Sequence, residues 1–240
     1  MNIYETSCTL KNRDVNLFKK LKTSRLFEFL QEASIAHTEE LGAGREKTLD
    51  RGLLWVVVQQ EVKIVRFPEY DETVRIVSWP GNTMHVLFPR FYRLLDAEGS
   101  LLAEGSALWA LMDGKTRRFV FPEANGVSVP GIVTSEEYPL PSRIAEENTD
   151  RQMRLRVPFS WCDLNGHMNN TRYFDLMDDL LQNSSVFSAP ELIRTEYHRE
   201  VRYGEELTVL WKKTDRTFFM KGITGEKAAF RIYAEFGQIR

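Results

Sequence analysis

Cysteine is nearly absent: the 240 residues hold only Cys8 and Cys162. No disulfide framework is implied, and a cytoplasmic location is expected. Histidine is scarce too, with four copies, and no Cys/His/Asp cluster completes a metal site. Charge of one sign is lacking. A net charge of -2 gives no long-range pull toward nucleic acid. Long apolar runs are missing: Leu53 to Val58 falls far short of the roughly 20 residues a membrane span needs. The opening residues, Met1 to Thr6, carry no basic-then-apolar signal peptide. There is no Gly-x-Ser-x-Gly, which excludes a serine-hydrolase elbow. Gly42-Ala43-Gly44 lacks the third glycine and preceding strand of a dinucleotide loop. What remains is 42% hydrophobic and 28% charged, a composition with a real core. Its length suits one large domain or two ordinary ones.

The chain then states one plan twice. Residues 24–41 read as an amphipathic helix, with Leu26, Phe29, Leu30, Ala33, Ala36 and Leu41 on one stripe. Ser24 is the expected N-cap, and Gly42 and Gly44 end the run. Strands are predicted over 53–65, 74–79, 86–95 and 104–112, with a turn at Asp96 to Gly99. In the second half Asn169 or Asn170 is positioned to cap a helix bearing Tyr173, Leu176, Met177 and Leu180. Strands follow near 195–202, 206–212, 218–224 and 228–236. A local match supports duplication. Glu61 to Pro68 resembles Tyr197 to Gly204 with Val65 laid on Val201, and Ile64 then stands where Glu200 does. Between the halves, from Gly114 to Asp150, four prolines and weak periodicity read as a surface linker.

The densest chemistry lies between Trp161 and Asn170. Asp163, Asn165 and His167 put a carboxylate, an amide and an imidazole into five residues. Acyl chemistry needs a group that activates water and donors that stabilise an oxyanion. This stretch supplies both, and the N-terminus of the helix that follows offers free N–H groups. The same letters also spell a turn, with His167 capping a helix or pairing with Asp163. Cys162, beside Trp161, reads as a packed apolar residue rather than a nucleophile. His37 and His85 have no partner pattern, and His198 reads as structural.

A helix wrapped by an antiparallel sheet, occurring twice, describes an α+β double hotdog. The chain resembles the acyl-acyl carrier protein thioesterases of plants and bacteria. The residues that carry the resemblance span both halves. They are Leu54 to Val57, Glu61 to Val74, Ser106 to Asp113 with Lys115 to Arg118, Asp163 to Asn170, and Glu196 to Glu200. The resemblance implies an N-terminal hotdog over 1–130, a linker over 131–150 and a catalytic hotdog over 151–240, each hotdog with a long helix. It implies a site of Asp163, Asn165, His167 and Glu200, with the first hotdog shaping an acyl pocket. Glu200 alone would be an ordinary strand charge, and its role rests on the resemblance. Plant members often carry a cysteine directly after the glutamate. Here Val201 stands there, which favours an activated water. The implied partners are a fatty acyl chain and an acidic acyl carrier protein, whose phosphopantetheine arrives on the substrate. No other cofactor is needed. Basic clusters at Lys19 to Arg25, Lys115 to Arg118 and Lys212 to Arg216 are candidates for docking the carrier. The alternatives are acyl-coenzyme A hydrolysis, enoyl-thioester hydration and non-catalytic acyl binding. Two hotdogs in one chain allow a monomer or a homodimer.

Overall fold

A computed structural model describes residues 3–132, 138–182 and 186–237. Helix α1 spans Thr23–Glu40. It buries Leu26, Phe27, Leu30, Ala33, Ser34 and His37, the three-and-four spacing of a helix with one face inward. Its cap is Lys22 rather than Ser24. The first N–H group is met from the other half of the molecule, where Asp178 accepts from Thr23 N and Oγ1. Helix α2 spans Arg172–Leu181. Its ten residues make it little more than half as long as α1, so only the first half carries the long helix expected. The helices meet where the rings of Phe27 and Phe174 stack at 3.7 Å.

Among the described residues ten strands form one antiparallel sheet around these helices: β1(Tyr4–Thr9), β2(Leu53–Ile64), β3(Thr73–Pro80), β4(Leu87–Leu95), β5(Leu101–Asp113), β6(Arg151–Arg156), β7(Pro190–Tyr197), β8(Glu206–Lys213), β9(Thr217–Thr224) and β10(Lys227–Phe236). The order is β1-β3-β4-β5-β2-β7-β10-β9-β8-β6. The second five repeat the first five about a two-fold relation. The halves join where β2 pairs with β7, and Glu61 faces Arg194 at the middle of that seam, ion-paired at 2.8 Å.

Strands β1 and β6 were not expected from the sequence. Both lie at sheet edges and are largely exposed, so they lack the apolar alternation that marks a half-buried strand. Strand β7 begins and ends earlier than expected, at Pro190 and Tyr197. The N–H groups of His198 and Arg199 both donate to Ala229 O, and the chain then leaves the ladder. Glu200 is therefore not on a strand.

The segment from 138 crosses the sheet toward the second half. Pro139 O accepts from Ser106 Oγ, and the carboxylates of Glu61 and Glu196 accept the N–H groups of Ser142 and Ile144. Burial alone would raise the Glu61 carboxyl. The bonds from Ser142 and Arg194 outweigh it and hold the group below the usual carboxylate range. Part of the expected linker, residues 133–137, lies outside the described residues.

Candidate active site

The stretch from Cys162 to Met168 is a tight loop closed by pairing of those two residues. Asp163 N–H donates to His167 O, and Gly166 N–H donates back to Asp163 O, both at 3.0 Å. Gly166 has φ +80°, a left-handed conformation that favours glycine. The Asp163 side chain accepts the Asn165 N–H at 2.9 Å. The letters do spell a turn, and that turn is what points His167 inward.

His167 is buried, with 8% of its surface exposed. Its Nδ1 lies 3.3 Å from Met168 O and 4.0 Å from Asp163 Oδ1. Its Nε2 lies 3.9 Å from Glu200 Oε1. Glu200 Oε1 also accepts from Arg117 Nη1 at 2.6 Å, while Arg202 Nη2 stands 3.5 Å from Oε2. Asp163, Asn165, His167 and Glu200 all line one cavity of ≈160 Å³. A second cavity of ≈180 Å³ adjoins it, and Ile35, Trp55, Trp109 and Asn165 line both. The second is walled by apolar residues of the first half such as Leu53, Phe88 and Val129. Arg90 is its buried cation, bonded to His37 Nδ1, Ser34 O and Thr38 Oγ1. Burial brings that guanidinium down to about 10.

The first half contains the same loop without the chemistry. Asn16 N–H donates to Lys20 O and Lys19 N–H to Asn16 O, repeating the bonds of Asp163 and Gly166. Phe18 N–H donates to the Asn16 side chain, as Asn165 N–H does to Asp163. Leu21 N–H donates to Pro68 O, as Met168 N–H does to Val201 O. The counterparts of Asp163, Asn165, His167 and Glu200 are therefore Asn16, Phe18, Lys20 and Phe67. This corrects the sequence register, which placed Ile64 opposite Glu200. The two segments are equally long, since Phe67 and Glu200 each lie three residues past the end of their strand, and the chance likeness of Val65-Arg66 to Val201-Arg202 had drawn the register three residues off. The rings of Phe18 and Phe67 pack on Phe187 at 5.7 and 5.3 Å and fill the place where the second half has its cavity.

The helix terminus offers less than expected. Thr171 is the cap residue of α2, and Asn169 takes the Thr171 N–H and hydroxyl with its side chain and the Arg172 N–H with its carbonyl. Burial, then Asp163, pushes the Cys162 thiol up, the opposite of what a nucleophile needs. Among the described residues no His/Cys/Asp/Glu group is arranged to hold a metal ion. Arg117 is the contributor that sequence reasoning passed over. In the sequence it stands as part of the resemblance and as one charge in a basic cluster, with no link to the site.

Residues 1–123 match the family model for the acyl-ACP thioesterase N-terminal domain, and residues 144–238 match that for the C-terminal domain. The chain belongs to the acyl-ACP thioesterase family. It is 25% identical to the chloroplastic acyl-(acyl-carrier-protein) hydrolase FATB3 of Cuphea viscosissima, over 94% of this chain and 60% of that protein. It is 24% identical to the chloroplastic palmitoyl-acyl carrier protein thioesterase of Cuphea hookeriana, over 82% of this chain and 52% of that protein. The chain thus spans between half and three-fifths of the length of these relatives. Its fold is shared with an acyl-ACP thioesterase from Bacteroides thetaiotaomicron, at a TM-score of 0.85, 19% identity and 98% coverage of each chain. The 12:0-ACP thioesterase from Umbellularia californica matches at a TM-score of 0.81 and 20% identity, covering 98% of this chain and 97% of that one. The architecture of the family member described here is the double hotdog.

Proposed function

We propose that this chain hydrolyses fatty acyl thioesters carried on an acidic acyl carrier protein, releasing free fatty acid and the carrier thiol. One observation carries the reading. The four polar residues line a cavity that adjoins an apolar pocket, while the duplicate position is plugged by rings. Membership of the family and the activities named for its relatives supply the carrier. The spacing supports solvent activation. The 3.9 Å between His167 Nε2 and Glu200 Oε1 is too long for a direct hydrogen bond, and both atoms can face one water seated to the side of the line between them. His167 directs Nδ1–H toward Met168 O and Asp163, which leaves the Nε2 lone pair facing that water. Asp163 orients the ring. Glu200 takes the proton as the water oxygen attacks the carbonyl carbon. Asn165, lining both cavities, holds the carbonyl oxygen as it becomes an oxyanion. The tetrahedral adduct collapses, the C–S bond breaks, and the sulfur leaves as thiolate. A thiol with a pKa of about 8.5 needs no strong acid to depart, and it collects the proton held by Glu200. The acyl chain lies in the apolar pocket and the phosphopantetheine arm enters with the carrier. The scarcity of cysteine supports a cytoplasmic setting.

The test is a series of acyl carriers and matched acyl-coenzyme A thioesters, followed with a thiol reagent. Glu200→Gln and Asp163→Asn are expected to lower thiol release by about 10²–10³-fold, and Cys162→Ser to leave it unchanged. Near-parental rates for Glu200→Gln or Asp163→Asn would remove that residue from the reading. Equal rates on both carriers would remove the carrier preference, and hydration of an enoyl thioester without thiol release would replace hydrolysis altogether.

A further inference from the structure

Glu200 belongs to the second half, yet its shortest ion pair comes from the first. Arg117 Nη1 lies 2.6 Å from Glu200 Oε1, the same oxygen that faces His167 Nε2. Arg117 sits in the turn after β5, and that turn is tightly built. The Asp113 side chain accepts the N–H groups of Lys115 and Thr116, at 3.1 and 2.6 Å. Asp113 O accepts Arg117 N–H, and Arg118 O accepts Asp113 N–H. At its end Arg117 has φ +55°, in the left-handed region that an L side chain enters at a cost and glycine enters freely. A residue chosen only to close this turn would be glycine. The strained backbone is kept together with a guanidinium that reaches across the two halves. The other contact on Glu200 is looser, from the largely exposed Arg202 at 3.5 Å.

We propose that Arg117 is a positioning residue for the hydrolysis. It holds the Glu200 carboxylate so that Oε1 faces His167 Nε2 and the water seated beside them. The proposal rests on the reading of Glu200 as the base. It also gives the first half a part in the chemistry beyond walling the acyl pocket. A guanidinium, planar and two-pronged, suits this duty better than a flexible ammonium.

The assay uses a short soluble acyl thioester, so that carrier docking does not enter. Arg117→Gly removes the guanidinium and relieves the turn, so the variant is expected to melt at or above the parental temperature. Its kcat is expected to fall about 10- to 100-fold, with KM within about twofold. Millimolar guanidinium ion should restore part of the loss. On the Glu200→Gln background the same substitution should cost less than about twofold more. Arg117→Lys should lie between parent and Arg117→Gly. A kcat for Arg117→Gly within about twofold of the parent would overturn the proposal. So would a loss that guanidinium does not relieve and that adds in full to Glu200→Gln. Full activity of Glu200→Gln would bring down the base reading and this proposal with it. An inactive Glu200→Gln beside a fully active Arg117→Gly would overturn the part played by Arg117 alone.

Discussion

Asp178 shows how one side chain ties the helices together at a cost. Its carboxyl is buried at the start of α1, and burial raises it from 3.8 to about 7 despite two bonds from Thr23. The folded protein therefore holds a proton there between about pH 4 and pH 7 that the unfolded chain gives up. Stability from this group is full below pH 4 and is lost as pH rises toward 7. At about 1.4 kcal/mol per unit, the whole window is worth on the order of 4 kcal/mol. Asp178→Asn keeps an acceptor for Thr23 and removes the charge. It is expected to raise the melting temperature at pH 8 and to leave it nearly unchanged at pH 4. Equal shifts at both pH values in a thermal scan would refute the assignment. Glu200 is a different lesson at the same scale. Nothing in its own neighbourhood of sequence distinguished it from a solvent-facing strand charge. Its place opposite His167 depends on the chain leaving the ladder after Tyr197, three residues earlier.

Among the elements, β2 and β5 carry the first half. They share the longest register in the sheet, from Leu53 opposite Asp113 to Ile64 opposite Ala103. Gly105 sits in that ladder because nothing larger fits: a Cβ there would meet Glu61 O at 2.3 Å, and that atom is backbone. Gly105→Ala must push β2 and β5 apart close to the seam. The expected cost is about 1–3 kcal/mol in a denaturant titration, and no loss of midpoint would show that the strands yield freely. The long strands were legible from their β-branched runs, and α1 from its stripe. The edge strands β1 and β6 were not, because exposed edges carry no alternation to read. The register of the repeat also escaped detection. A chance likeness of Val65-Arg66 to Val201-Arg202 outweighed the weak similarity of the true register, and only hydrogen bonds such as Leu21 to Pro68 and Met168 to Val201 reveal the equivalence.

The molecule is a pair of related halves: residues of both line the cavity of the candidate site in the second, and rings plug the matching place in the first. Arg199 lines the cleft from the second half, and Arg117 of the first half reaches its Glu200. On the function proposed above, an acidic carrier approaching those cations gains long-range attraction that a small thioester does not need. Raising salt from about 0.05 to 0.5 M is therefore expected to slow kcat/KM on carrier-bound substrate several-fold more than on a short free thioester. Parallel salt curves would argue against electrostatic docking. Duplication, the helix-and-sheet plan, the Asp163 to His167 motif and the family were all readable in the chain, because local patterns and motif spelling persist in one dimension. Three things were decided only by tertiary structure. These are the departure of Glu200 from its strand, the aromatic plug of Phe18, Phe67 and Phe187, and the reach of Arg117 across the halves. Each depends on residues far apart in sequence meeting at one point, and no local period or spacing records such a meeting.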